Sequence, residues 1–283
     1  MKKFLTLLIA FIFLAPPLSF AAEEKKKVGY VSITYETRDS FVIKSKLFYP
    51  TKKEKVYPMV VFLHSLGYNS DYWGDITKKF VDENVAVMLI DLRGHGQSVY
   101  DTSFRIRSWL YYTPKQFALY PEDITEILKY MGMNYRNIST VDYAIIGADV
   151  GANTAILAAE KMPNKPKCMA LISPSRNFKE LYTPIALTEL GAMPIMAAVS
   201  VRDNYFEKEA YALEKFAQGD YKVKTYPKGG SGMMMLRSNP TMSDDIVKWV
   251  LSQIKANPVG TEASAGSMPT GQRIPLQELL KTK

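Results

Sequence analysis

The chain has 283 residues, a formal net charge of +8 at neutral pH, one cysteine and two histidines. That length and an apolar share of 47% suit one α/β domain with terminal extensions, which excludes a disordered or fibrous protein. The charge is mild for this size and its lysines are scattered, so nucleic acid is set aside as a partner; Cys168 has no second cysteine to pair with and reads as a small buried hydrophobe.

Lys2 and Lys3 precede an apolar run from Phe4 to Ala15, followed by Pro16-Pro17 and Ser19-Phe20-Ala21. A charged start, a short apolar middle and small residues at a cut site describe a secretory signal peptide over residues 1–21. The run falls short of the roughly 20 apolar residues that a spanning helix needs. The expectation is an exported protein, periplasmic or extracellular, with no integral membrane span after cleavage. Residues 22–27, with Lys25-Lys26-Lys27, form a charged leader, and residues 28–255 form the folded domain. From 256 to 283 the chain is rich in Gly, Pro, Ser and Thr, with periodicity only at Leu276 to Leu280, and is expected to be a flexible tail.

Within the domain, Gly29 to Asp39 and Phe41 to Tyr49 alternate apolar and polar residues, predicting an antiparallel hairpin. Met59 to Leu63 is a continuous apolar run, as strands buried on both faces require. A helix is predicted over roughly Asp71 to Glu83, with Ser70 as its cap. Val85 to Leu92 is the next strand, and Pro121 to Met133 has helical spacing at Ile124, Ile127, Leu128 and Met131. Tyr143 to Ile146 is a strand leading into Gly147-Ala148-Asp149-Val150-Gly151, and a helix follows from Ala152 to Ala159. The alternation continues: strand Met169 to Ile172, a helical or loop excursion from Phe178 to Leu190, strand Ile195 to Val201 and helix Tyr205 to Ala217. Strand Val223 to Tyr226 and helix Ser243 to Lys255 complete it. Strands alternating with helices imply a mostly parallel sheet covered on both faces.

Three motifs stand in order at the ends of predicted strands: His64-Ser65-Leu66-Gly67, Asp91-Leu92-Arg93-Gly94-His95-Gly96-Gln97-Ser98, and Gly147 to Gly151. The last has the strand–turn–helix setting of a nucleophile elbow, Gly-x-Ser-x-Gly, with Asp149 in place of serine. Together they resemble the α/β-hydrolase superfamily, near its dienelactone-hydrolase and small-esterase branches. The resemblance implies an α/β-hydrolase fold: a mostly parallel sheet with an N-terminal antiparallel hairpin and helices on both faces. It also implies an elbow side chain that attacks a carbonyl, a histidine base, an acid that orients it, and backbone amides that hold the oxyanion. Those roles fall on Asp149, on Ser231 where the histidine belongs, on Asp203 as the acid, and on the amides of Leu66 and Val150. His64 and His95 belong to the loop motifs and are the alternative bases. Lys228 is a further alternative.

An aspartate at the elbow is a competent nucleophile toward an alkyl carbon, but the ester it forms still needs a base to activate water. Two readings follow. In one, the hydrolytic site is degraded and the protein binds a small apolar or hydroxylated ligand, a pseudoenzyme on a hydrolase fold. In the other, it is an active hydrolase of an ester, lactone or alkyl substrate with Asp149 as nucleophile. No cofactor and no metal ligand set is expected under either, and a protein partner is not specified by the sequence.

Overall fold

The computed structural model describes residues 30–49 and 56–256. The expected signal peptide, the charged leader and the tail beyond residue 256 lie outside the described residues. Among those described, no helix is long and apolar enough to cross a membrane.

The expected hairpin is β1 (Val31–Glu36) and β2 (Val42–Phe48), paired antiparallel. β3 (Tyr57–Leu63) follows, then α1 (Asp75–Asp82) and β4 (Ala86–Ile90). A long connection carrying the short helix α2 (Pro114–Phe117) leads to α3 (Tyr120–Asn134). β5 (Ile138–Ala148) runs into the elbow and α4 (Val150–Lys161), then β6 (Cys168–Ile172). A miniature hairpin, β7 (Asn177–Phe178) and β8 (Leu181–Tyr182), and α5 (Pro184–Glu189) precede β9 (Ile195–Ser200). α6 (Asn204–Glu214), β10 (Tyr221–Tyr226), α7 (Met233–Ser238) and α8 (Met242–Ala256) close the chain.

The main sheet has eight strands in the order β1-β2-β4-β3-β5-β6-β9-β10. β2 pairs antiparallel with β4, and every pair from β4 to β10 is parallel. The alternation of side chains along each strand divides the core in two. On one face Met59, Val61 and Leu63 pack with Ile124, Ile127 and Leu128 of α3, Ala152 and Ile156 of α4 and Leu213 of α6. On the other, Val60 and Phe62 pack with Ile76 and Phe80 of α1 and Ile246, Val250 and Ile254 of α8. Helices cover both faces because both faces of a parallel strand are apolar.

The helix expected over Asp71 to Glu83 is two pieces. A 3₁₀ turn over Ser70–Trp73 is capped by Asn69, whose side chain accepts from the Asp71 N–H at 3.0 Å; Gly74, at φ 53°, breaks it from α1. Ser70 is buried and does not cap; its N–H donates to Asp91 at 2.7 Å. The preference for Ser at a cap loses to a neighbouring Asn that is equally good and better placed.

One buried ion pair ties the hairpin to α3. Arg93, in the loop after β4, donates to Asp123 at 2.6 and 2.8 Å and to Asp39 at 2.6 and 2.9 Å, and its guanidinium lies 4.5 Å from the Phe41 ring. Burial works against its charge, but the two carboxylates outweigh it and move the pKa up. Arg93→Ala leaves the Asp123 side chain, only 6% exposed, without its partner. The expected loss is about 3–5 kcal/mol in denaturant unfolding, and Arg93→Met with Asp123→Leu should recover most of it. A single-variant loss below about 1 kcal/mol would refute this account.

Candidate active site

The elbow is forced by backbone crowding. A Cβ on Gly151 would lie 2.1 Å from the Leu63 carbonyl oxygen of β3, and one on Gly147 would lie 2.4 Å from the Gly151 carbonyl oxygen. Only glycine allows α4 to approach the central strand so closely. Asp149 sits between them at φ 55°, ψ −113°, a conformation strained for any residue with a side chain. Asp149 therefore stands at the C-terminal edge of the sheet, half-buried, as the cap of α4.

Its carboxyl is held by one main-chain donor and lies near a second amide. The Val150 N–H donates to Asp149 Oδ1, and the Leu66 N–H also acts on the carboxyl. The structure thus brings together three of the residues singled out from sequence: Leu66, Asp149 and Val150. Burial pushes the Asp149 carboxyl up to about 7, against the pull of the Val150 amide, the Lys179 ammonium and the Leu66 amide. Burial dominates because the group has lost most of its water.

The two histidines are tied into the loops that frame this site. His64 is fully buried; its Nε2 accepts from the Leu92 N–H at 2.9 Å and its Nδ1 lies 2.8 Å from the Ser65 carbonyl. The first contact makes Nδ1 the protonated nitrogen. His95 is arranged likewise: Nε2 accepts from the Gly67 N–H at 3.1 Å, and Nδ1 lies 3.1 Å from the Arg93 carbonyl. Its ring stacks on Trp109 at 5.3 Å and nearly parallel. Burial pulls the pKa of His64 down to about 4; burial and the neighbouring His64 pull His95 down to about 3. Both rings are neutral near pH 7, and each spends both nitrogens on backbone groups.

Asp203 and Ser231 lie on the same edge of the sheet, after β9 and β10 respectively. Asp203 caps α6, accepting from the Phe206 N–H at 3.2 Å. Ser231 lies in the loop before α7; among the described residues no hydrogen bond joins the side chain of either to Asp149. The residue against Asp149 is Gly232, where a Cβ would stand 3.1 Å from the Asp149 Cβ and 2.1 Å from Ser65 Oγ. Two serines fasten this loop: Ser173 Oγ accepts from the Gly232 N–H at 2.9 Å, and Ser65 Oγ from the Met233 N–H at 3.0 Å. Lys228 is exposed on the approach to the same loop.

Ser65, Ser173, Gly232 and Lys179 are the site residues that sequence reasoning did not single out. Ser173 has a signal only in three dimensions, a buried non-glycine residue at φ 54° immediately after β6. Lys179 and Glu180 form the two-residue turn of the β7–β8 hairpin with φ of 53° and 65°. Such turns favour Asn-Gly, so Lys-Glu gives no sequence warning. Among the described residues no cluster of three or more His, Cys, Asp or Glu could hold a metal ion.

An eight-stranded sheet of this order, with a strained elbow at the end of β5 and amides gathered around its side chain, defines an α/β hydrolase. A family model described as serine aminopeptidase, S33, matches residues 54–229. The chain belongs to that family. No curated protein matches it. Its fold is similar to that of a dienelactone hydrolase from Anabaena variabilis, at 15% identity and a TM-score of 0.62, covering 79% of this chain and 97% of that one. It is also similar to an acetyl xylan esterase from Paenibacillus sp. R4, at 14% identity and a TM-score of 0.66, covering 81% and 86%. A peroxisomal alpha-beta-hydrolase from Saccharomyces cerevisiae matches at 13% identity and a TM-score of 0.62, covering 84% and 92%.

The raised Asp149 pKa has a stability consequence with a definite sign. A carboxyl lifted from 3.8 to about 7 in the folded state favours folding below pH 4 and loses that contribution as pH rises to about 7. Asp149→Asn should therefore gain stability relative to the parent between pH 4 and pH 7, by roughly 4 kcal/mol, and show no further relative change above pH 8. Urea unfolding at several pH values measures this. A difference that is flat across the range would show that the carboxyl is not perturbed.

Proposed function

We propose that this chain is an exported α/β-hydrolase-fold protein that binds a small ligand at the elbow and does not hydrolyse it. The observation that carries the reading is the position of the Asp149 carboxyl. It takes up the Val150 amide and lies close enough to the Leu66 amide to feel it, and these are the two donors that acyl transfer would need for the oxyanion. An anion or half-protonated acid in that place excludes a developing alkoxide by charge and by occupancy. The supply of a base is the second support. Ser231 cannot take a proton at neutral pH, and the two histidines already use both nitrogens on the backbone. With a pKa near 7 the Asp149 carboxyl can accept or donate a hydrogen bond, which suits a hydroxyl-bearing ligand with an apolar body.

The second reading is an active hydrolase with Asp149 as nucleophile, and the strained, intact elbow favours it. There a carboxylate oxygen would attack an alkyl carbon, expel the leaving group with its electron pair and form an alkyl ester on Asp149. Mass spectrometry after incubation with a short alkyl halide or epoxide would detect that ester.

Purified protein should turn over p-nitrophenyl acetate no faster than a buried-site control such as Asp149→Ala. Asp149→Ser combined with Ser231→His should raise turnover by about 10²-fold or more over Asp149→Ser alone. Turnover by the parent chain that Asp149→Ala abolishes would overturn the proposal. So would an Asp149 adduct that forms and then clears.

A further inference from the structure

The long connection between β4 and α3 carries a finger that pairs along one side with the turn of the β1–β2 hairpin, where the Val42 N–H donates to the Tyr100 carbonyl at 3.0 Å and the Thr102 N–H to the Ser40 carbonyl at 2.9 Å. Tyr100 and Ile106 form an antiparallel bridge, and the Arg107 N–H donates to the Val99 carbonyl at 2.8 Å, so residues 99–107 make a short two-stranded arm. Its turn is over-determined by Asp101. That buried carboxylate accepts from the Ser103 and Arg105 N–H groups, both at 3.0 Å, and from the side chains of Arg105 and Arg107. At the tip stands Phe104, 86% exposed and held at φ 60°. A left-handed conformation for an aromatic residue costs on the order of 1–2 kcal/mol, and here it holds a large apolar ring in water. Ile106, Leu110 and Tyr111 in the same connection are also more than half exposed.

The charge of this connection is net positive. Between residues 94 and 119 the chain carries Arg105, Arg107 and Lys115 against a single acid, Asp101. Both arginines share that one carboxylate and remain about half exposed or more. Aromatic and aliphatic tips over a cationic base match the layering of a bilayer surface, with acyl chains below anionic phosphates.

We propose that the 99–107 finger, with Phe104 at its apex and Arg105 and Arg107 at its base, docks on an anionic lipid surface. The finger leaves the C-terminal end of β4, on the sheet edge that carries Asp149. The same connection lays Trp109 over Gly67, where a Cβ would stand 3.3 Å from its ring. A bilayer at the finger therefore faces the end of the sheet that carries the elbow. This inference does not depend on whether the elbow hydrolyses or only binds.

The test uses the full chain and its Phe104→Gly variant with identical termini, so any difference belongs to the finger. Vesicles are phosphatidylcholine alone or with about a third phosphatidylglycerol. The parent should co-sediment with the mixed vesicles, and Phe104→Gly should weaken that by about tenfold. Omitting phosphatidylglycerol, or raising salt, should weaken it as well. Glycine relieves the strain at φ 60°, so the variant's Tm should rise while its binding falls. Equal binding by the two proteins, or binding indifferent to phosphatidylglycerol, would refute the proposal. A concentration-dependent dimer lost in Phe104→Gly, with no difference on vesicles, would make the finger a protein contact instead.

Discussion

The closeness of α4 to β3 governs the rest of this molecule. Residue 151 faces the Leu63 carbonyl across a gap in which no side chain fits. The chain must therefore turn from β5 into α4 within one residue, and that residue must be Asp149 in a left-handed geometry. The same crowding holds the segment after β3 against the elbow, so the Leu66 amide lies within reach of the Asp149 carboxyl. Elbow strain and the gathered amides are two consequences of one steric contact. The constraint falls on two glycines and on backbone paths and leaves side chains elsewhere free to vary.

A carboxyl at such a point needs its own explanation. The N-terminus of a helix favours an anion, and Asp149 receives the first amide of α4. Against that, the surrounding loops strip it of water, and burial wins by moving the pKa to about 7. The outcome is a group balanced between its two protonation states near neutrality. The histidines show the opposite solution. Each is buried more deeply, yet each is satisfied by one donor and one acceptor from the backbone, which requires the neutral ring. Burial thus leaves the one side chain with a free charge state at the elbow and removes charge from its neighbours.

The parallel sheet, the hairpin and the order of motifs were legible because each rests on a pattern that the backbone imposes. Continuous apolar runs mark strands buried on both faces, as in Met59 to Leu63, and the glycines at 147 and 151 mark the tight turn. What escaped were features decided by competition between neighbours. Ser70 and Asn69 both suit a helix cap, and only Asn69 reaches the Asp71 amide. The excursion between β6 and β9 folds into a hairpin whose Lys179-Glu180 turn carries none of the residues that such turns favour. At the site, Asp149, Leu66 and Val150 could be read together because they follow strands in fixed register. The serine fastenings at 65 and 173 could not, since they depend on a loop arriving from β10 some sixty residues or more away in sequence.

Strain in this protein is placed at the ends of elements and not in the core. Asp149 and Ser173 immediately follow β5 and β6, at the C-terminal edge where the sheet presents its loops. Lys179 adds a third strained position that acts electrostatically on Asp149. Each of these backbones is fixed by more contacts than it needs. Asp149 is bound by two close-packed glycines, and Ser173 is held by an N–H bond to the Ala198 carbonyl while its hydroxyl accepts from Gly232. A conformation costing on the order of 1–3 kcal/mol persists only where its surroundings leave no alternative. The energy of the two apolar layers is thus transmitted to the rim as geometry. That geometry sets which groups face a ligand, and at its centre stands a carboxyl in place of a hydroxyl. Chemistry at this rim is decided by the identity of one side chain on a backbone that does not change to suit it.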